Sequence, residues 1–397
     1  MMIPERPSLE RRVLAALDGS AGNAGPRIPV ILGGCGSGRT SLLLRLRDLI
    51  GRTQAQYVDV ERIATTPERF LRSLRDASPF PAHPYGAAAG AEPGARDAFD
   101  AALAFLDSAR AASGAPATFL LDEFLELRTF ESFPGLRSVL RDLIGALSTS
   151  GNRFVLTTRY AARAHRLLRD APAPFEIIHA APLSAAEIRA TLPGAHGEEH
   201  GIRGNEEEQD RERDELARLV QALSDGRPSY ARAIAETAVS MASRGGPDPV
   251  GALAALLAPG GQLTQACRYG YELRLHRARG YGALKAILEV LSEEEPLTLT
   301  EIAQRLRRTP GSTKDYLSWL EDVDLIVSRM KRYSFADPVL RVWVRLHCRP
   351  APPTEEEIAR ELHSYMQARL PLAEPALALA GGQPPEREKS WGIIEID

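Results

Sequence analysis

Short apolar runs and helical periods alternate through the first half of the chain. Leucine spacing over 9–17 predicts a helix, and Ile-Pro-Val-Ile-Leu over 28–32 predicts a strand buried on both faces. After a glycine-rich stretch, 33–38, residues 40–50 carry leucines on one helical face and 56–60 return to strand character. Further along, the pattern predicts a loop over 78–94, a helix over 96–112, strands at 117–121, 153–158 and 175–179, and a helix over 136–147. Alternation of this kind implies an α/β fold whose parallel sheet is covered by helices on both faces.

From 184 onward helices take over: 184–192, 214–224, 229–242 and 249–257 are expected to form a helical lid. The acidic, polar stretch 196–215 reads as a solvated, mobile insertion. One or two helices are expected over 267–292, then helices at 300–306 and 312–320 and strands at 325–327 and 333–335, the order of a winged helix-turn-helix. A polar helix over 355–369 and a tail ending in 391–397, expected to be disordered or locally docked, complete the chain. The domains are therefore expected at 1–182 (nucleotide binding), 183–260 (lid), 261–347 (winged helix) and 348–397 (helix and tail).

With 397 residues, 44% hydrophobic and 25% charged, the chain has material for a sizeable core and is not disordered as a whole. A net charge of -3 supplies no global attraction to nucleic acid, so any DNA contact has to come from a local patch. Cys35, Cys267 and Cys348 are far apart and exclude a disulfide framework or a Cys-rich zinc site. No HExxH pair occurs among the eight histidines. A reducing cytoplasm is the expected compartment, since neither a signal-peptide core nor an apolar run of membrane-spanning length is present.

The candidate chemistry begins at Gly33, Gly34, Cys35, Gly36, Ser37, Gly38, Arg39 and Thr40, followed by Ser41. These residues fit G-x-x-x-x-G-K-[ST] at every defined position but one, where Arg39 replaces lysine, and they have the required strand before and helix after. Glycines let the loop turn its amides inward around phosphates, and the helix N-terminus adds partial positive charge. Thr40 would ligate Mg²⁺. The strand before Asp122 and Glu123 supplies the second half: Asp122 to hold the hydrated metal, Glu123 to polarise an attacking water. Adenine nucleotide with Mg²⁺ is the expected ligand. Arg39 keeps the charge but presents a larger planar fork, so binding is expected to outlast fast hydrolysis.

The strand Arg153-Phe-Val-Leu-Thr-Thr158-Arg159, Pro182-Leu-Ser-Ala-Ala-Glu, and Gly226-Arg-Pro228 resemble the nucleotide domain of the signal-transduction ATPases with numerous domains, the STAND group of the AAA+ class. Phe335-Ala-Asp337-Pro338-Val-Leu-Arg-Val-Trp343 is similar to the segment that closes the winged helix in that group's archaeal-type ATPase family. The resemblance implies that Thr158 and Arg159 sense or contact the γ-phosphate, that Pro228 packs near adenine, and that the chain cycles between closed ADP and open ATP states. A strand-end cation paired with a surface carboxylate is the alternative for Arg159.

Arg307, Arg308, Lys314, Arg329, Lys331 and Arg332 surround the expected recognition helix and wing, where they could meet DNA phosphates. About ten acidic residues balance about ten basic ones over 281–346, so a packing module is the competing reading. The first reading is an ATP-dependent switch, whose partners would be adenine nucleotide, DNA, further copies of the chain in the ATP state, or another protein. A DNA-binding initiator or regulator whose nucleotide sets oligomeric state, and a pseudo-ATPase scaffold, stay open beside it.

Overall fold

The computed structural model describes residues 6–19, 26–81, 94–171, 175–192, 206–242 and 246–369. Most of the loop expected over 78–94, the part 196–205 of the expected insertion, and the tail 370–397 lie outside the described residues.

Five strands form one parallel sheet: β1 (Ile28–Leu32), β2 (Ala55–Asp59), β3 (Thr118–Asp122), β4 (Arg153–Thr158) and β5 (Phe175–His179), in the spatial order β2-β3-β4-β1-β5. All neighbouring pairs are parallel, with Val30 opposite Leu156 and Leu120 opposite Val155. Side chains alternate between faces, as a pleated strand requires. Ile31, Leu120 and Val155 point to one side and join Leu42, Leu43 and Leu46 of helix α2 (Arg39–Ile50) and Val13 and Leu17 of helix α1 (Pro7–Asp18). Val30, Leu32, Phe119, Leu121, Phe154 and Leu156 point to the other and meet Phe70, Phe99 and Leu143 of α4 (Pro67–Asp76), α5 (Ala95–Ser108) and α6 (Val139–Thr149); α3 (Val60–Ile63) precedes α4. Burial on both faces is why the strands read as continuous apolar runs. The strand order matters for chemistry: β4 lies between β1, which leads into the phosphate loop, and β3, which ends at Asp122.

Past α7 (Ala161–Leu168) and β5 come α8 (Ala185–Arg189), α9 (Glu206–Ser224), α10 (Pro228–Ser240) and α11 (Pro249–Leu257). The expectation of a mobile insertion reaching Glu215 is corrected over 206–215, which belong to α9. Arg189 on α8 pairs at 3.0 Å with both Asp210 and Asp214, so this polar stretch is held by charge at helical spacing, not by apolar burial.

Helix α12 (Gln262–Arg277) leads to α13 (Tyr281–Glu293), β6 (Leu297–Thr298), α14 (Leu299–Arg305), α15 (Pro310–Asp322), and the hairpin β7 (Ile326–Arg329) and β8 (Arg332–Phe335). These strands make an antiparallel sheet in the order β6-β8-β7. Helix α16 (Pro338–His347), capped by Asp337, and α17 (Glu355–Gln367), opened by a Thr354–Glu357 capping box, follow. We refer to α13 through α16 as the C-terminal module. A continuous apolar core runs from Leu183 through α9 to α11 and this module to Tyr365, whose hydroxyl donates to the Leu223 carbonyl at 3.0 Å. No described helix is long and apolar enough to cross a membrane.

Candidate functional site

Residues 33–38 leave the C-terminal end of β1 and open α2. Gly36 (φ 78°) and Gly38 (φ 81°) occupy the left-handed region, and a Cβ on Gly36 would collide with Ser229 Oγ. Pro228 Cγ stands 3.3 Å from the point a Cβ on Gly38 would occupy, which places the start of α10 against the loop. Between them lies a cleft of about 280 Å³ bordered by Arg6, Glu10, residues 36–42, Arg45, Pro228, Ser229 and Arg232.

Just past the loop, in the first turn of α2, Thr40 Oγ1 donates to Asp122 Oδ2 at 2.6 Å. Asp122, buried, also accepts from Tyr57 at 3.0 Å and from Thr157 at 2.5 Å. Desolvation and the Asp122 charge push the Tyr57 phenol well above its usual range, so it stays a proton donor to that carboxylate. A hydroxyl and a carboxylate converging from α2 and β3 form an all-oxygen donor pair of the kind Mg²⁺ accepts, with room in its coordination for waters and phosphate oxygens. Thr40 and Asp122 fit that metal.

Glu123 begins the 3-10 helix Phe124–Ser132 in the left-handed conformation, φ 56°. Its backbone N–H donates to Thr157 Oγ1 at 3.2 Å, which turns the side chain toward the loop. There its Oε1 accepts from Arg39 at 2.5 Å and forms an ion pair with the Arg159 guanidinium, whose Nε lies 3.0 Å away, while Oε2 accepts from the Arg159 amide at 3.1 Å. Burial works to raise the Glu123 pKa, but Arg39 and Arg159 more than offset it and hold the carboxyl below its usual value. Arg39 is buried too: its Nη1 donates to the Gly34 carbonyl (2.7 Å) and Ser37 Oγ (2.9 Å). The loop arginine is therefore folded back on its own loop and on Glu123.

Arg159 pairs with Glu61 as well as Glu123. Thr158 is fully buried and its hydroxyl accepts from the Tyr160 amide at 3.2 Å, whereas the preceding Thr157 touches both Asp122 and Glu123. The sequence points to Thr158 and not to Thr157, because strand alternation alone does not say which of two adjacent threonines faces the loop.

Other participants come from outside the sheet. Arg277 of α12 binds Glu126 (2.6 Å), the Tyr160 hydroxyl (2.7 Å) and Glu61 (3.2 Å). Arg227 donates to the Cys35 carbonyl of the loop (2.8 Å) and the Ala336 carbonyl (2.5 Å), and lies 3.6 Å from Asp337. Buried Asp337 accepts from Tyr230 at 2.7 Å. Asp322, at the end of α15, reaches Arg163 and Arg166 on α7. The C-terminal module is thereby docked on the loop and on the β4 end of the sheet. Arg307, Arg308, Lys314, Arg329, Lys331 and Arg332 all stand exposed on that module, with Arg308 over the Tyr316 ring at 5.4 Å. Among the described residues no group of three His, Cys, Asp or Glu side chains could hold a metal.

No family model and no curated protein matches the chain. Among solved structures, a Walker-type ATPase of Pyrococcus abyssi is similar over 86% of this chain and 96% of its own, at 18% identity and a TM-score of 0.61. The ORC2 protein of Aeropyrum pernix, solved as ADPNP-ADP complexes, matches over 91% and 93% at 16% identity and a TM-score of 0.48. A STAND protein with a tetratricopeptide repeat sensor from Pyrococcus horikoshii matches over 91% of this chain and 45% of its own, at 16% identity and a TM-score of 0.34. With its phosphate loop on β1, its acidic pair on β3 and β4 between them, the chain shares the fold of that Walker-type ATPase.

Proposed function

We propose that the chain is an adenine-nucleotide switch: it binds ATP and ADP with Mg²⁺, hydrolyses ATP slowly, and couples the terminal phosphate to docking of the C-terminal module. The observation that carries this reading is the 2.6 Å contact between Thr40 and Asp122 beside a loop whose glycines adopt the phosphate-cradling conformation. On this reading Gly33, Gly34, Cys35, Gly36, Ser37, Gly38, Thr40 and Ser41 hold the phosphates, and Thr40 and Asp122 hold the metal, which neutralises charge on the transferring phosphoryl group. Pro228 and Arg6 border the nucleoside. Glu123 would orient water, but with its oxygens engaged by Arg39 and Arg159 it has first to be released, which makes hydrolysis slow. Calorimetry with ADP and ATP, with and without Mg²⁺, tests the reading: micromolar binding is expected, weakened by Thr40→Ala, and absence of binding to the folded protein rejects it.

A second reading rests on the exposed basic side chains. With β6, β7 and β8 flanking α14 and α15, we take the C-terminal module as a winged helix that meets DNA when undocked; in the docked arrangement the end of α15 is held by Arg163 and Arg166. Replacing Arg329, Lys331 and Arg332 together should weaken DNA binding and lower its salt dependence. An unchanged salt slope would leave the module a packing element only.

A further inference from the structure

One side chain of the C-terminal module faces the phosphate loop without a partner of its own. Asp324 lies in the turn between α15 and β7 in the left-handed conformation, φ 56°. Its Oδ2 is 3.1 Å from the point where a Cβ on Gly34 would stand, and Arg227 Nη1 is 2.9 Å from the same point. A side chain at position 34 would therefore meet both groups. Gly34 is the residue whose carbonyl receives the Arg39 guanidinium. In such a loop the residue at position 39 serves the β- and γ-phosphates, so a nucleotide bound in that way would bring its terminal phosphate to the Gly34 end of the loop, beside the carboxylate.

Arg274 fixes the turn by donating to the Asp324 backbone carbonyl at 2.8 Å, not to its carboxylate. Among the described residues no cation lies within ion-pair distance of that carboxylate, although Arg39, Arg227 and Arg274 all act on it electrostatically. Arg39 is already committed to Glu123, and Arg227 to two carbonyls and Asp337. A carboxylate with no direct ion-pair partner among the described residues, its neighbouring arginines bound elsewhere, is thus held by the module at the place where a triphosphate would bring additional negative charge and a diphosphate would not.

We infer that Asp324 sets the choice between di- and triphosphate: with the module docked it disfavours the γ-phosphate, so ADP binds to the docked form and ATP binds only as the module withdraws. The inference rests on the nucleotide-binding reading above and adds to it the residue that discriminates the terminal phosphate.

The test uses the full chain and calorimetric titration of ADP and of the β,γ-imido analogue of ATP, both with Mg²⁺. Asp324→Asn removes the charge and keeps a residue type tolerant of positive φ. It should tighten binding of the triphosphate analogue roughly tenfold, as expected for losing one like charge a few ångströms away at partial burial, and change ADP affinity less than about twofold. The scattering profile without nucleotide should stay unchanged. Asp324→Gly, which relieves any strain at φ 56°, should act in the same direction. Asp322→Asn, which weakens the docking contact away from the loop, is the control and should shift the ratio by less than about threefold. Equal affinity changes for both nucleotides, or an Asp322→Asn effect as large as that of Asp324→Asn, would overturn the inference by making Asp324 a docking contact alone. Failure of the wild type to bind either nucleotide would instead reject the binding reading, and this inference with it.

Discussion

The two flanks of the phosphate loop are closed by different physics. On the α2 side the loop borders a cleft shaped mainly by backbone conformation and close packing, Gly36 and Gly38 at positive φ with Ser229 and Pro228 against them, and by hydrogen bonds from the Ser229 amide to the Gly36 carbonyl and from Arg6 to the Ser37 carbonyl. On the β4 side the loop is covered by a chain of charges running from Arg39 to Glu123, Arg159, Glu61, Arg277 and Glu126, with Arg227 and Asp324 beside it. Packing of the first kind is indifferent to the number of phosphates on a nucleotide. A charge network is not, because a ligand shifts a conformational equilibrium only through contacts that differ between the two states. On the proposed reading the first flank holds a nucleotide and the second reports which one is held.

Glu123→Gln separates the flanks most sharply. It should lower turnover by about a thousandfold while leaving nucleotide affinity nearly intact, measured by steady-state phosphate release and calorimetry. Equal rates in the two proteins would remove Glu123 from water activation.

Asp337 is the next largest test, because buried Asp337 caps α16 through the Val339 and Leu340 amides, accepts from Tyr230 and faces Arg227. Asp337→Ala should cost about 3 kcal/mol in chemical denaturation, as loss of a cap and of one partner in a buried charged network requires. A loss below about 1 kcal/mol would mean that the module docks without this joint.

Arg39→Lys exchanges a fork that grips Gly34, Ser37 and Glu123 at once for a single flexible ammonium. Turnover should rise roughly tenfold and affinity by much less, since releasing Glu123 acts on the transition state more than on the bound ground state. A parallel rise in both would place the gain on the packing flank.

The pH response is smaller and has a defined sign. Burial lifts the Asp324 pKa from 3.8 to about 6 against the opposing pull of Arg274, Arg227 and Arg39, with Asp337 adding to the rise. The folded state therefore binds this proton more tightly than the unfolded chain, so this carboxyl favours folding as pH falls from about 6 toward 4 and loses that contribution as pH rises through 6. In the wild type, affinity for the triphosphate analogue relative to ADP should increase between about pH 7 and about pH 5, and in Asp324→Asn it should be flatter. The smallest expected effect is that of Arg166→Ala, which removes a half-exposed partner of Asp322 and should lower stability by at most about 1 kcal/mol.

Much of the packing flank is legible in the sequence. Strands β1, β4 and β5 fall on the residues that the apolar runs indicate, and the glycine pattern locates the loop and its helix. Helix α16 is missed as an element, although Val339, Leu340, Val342, Trp343 and Leu346 are buried along it and Arg341 and Arg345, one turn apart, mark its polar side. The charge flank is largely invisible. Glu61, Arg277 and Asp324 are single charged residues remote in sequence from the loop, without a motif around them, and only the docking of α12 and the α15–β7 turn brings them to it. Charge periodicity also misleads over 206–215, where alternating acids and arginines read as solvated chain and instead build the start of α9.

Small-angle scattering of the full chain with saturating ADP and then with the β,γ-imido analogue of ATP, both with Mg²⁺, tests the division of labour most directly. The account predicts a compact profile like that of the nucleotide-free protein with ADP, and a larger radius of gyration or an assembled species with the triphosphate as the C-terminal module leaves the loop. Identical profiles, with both nucleotides bound, would contradict it.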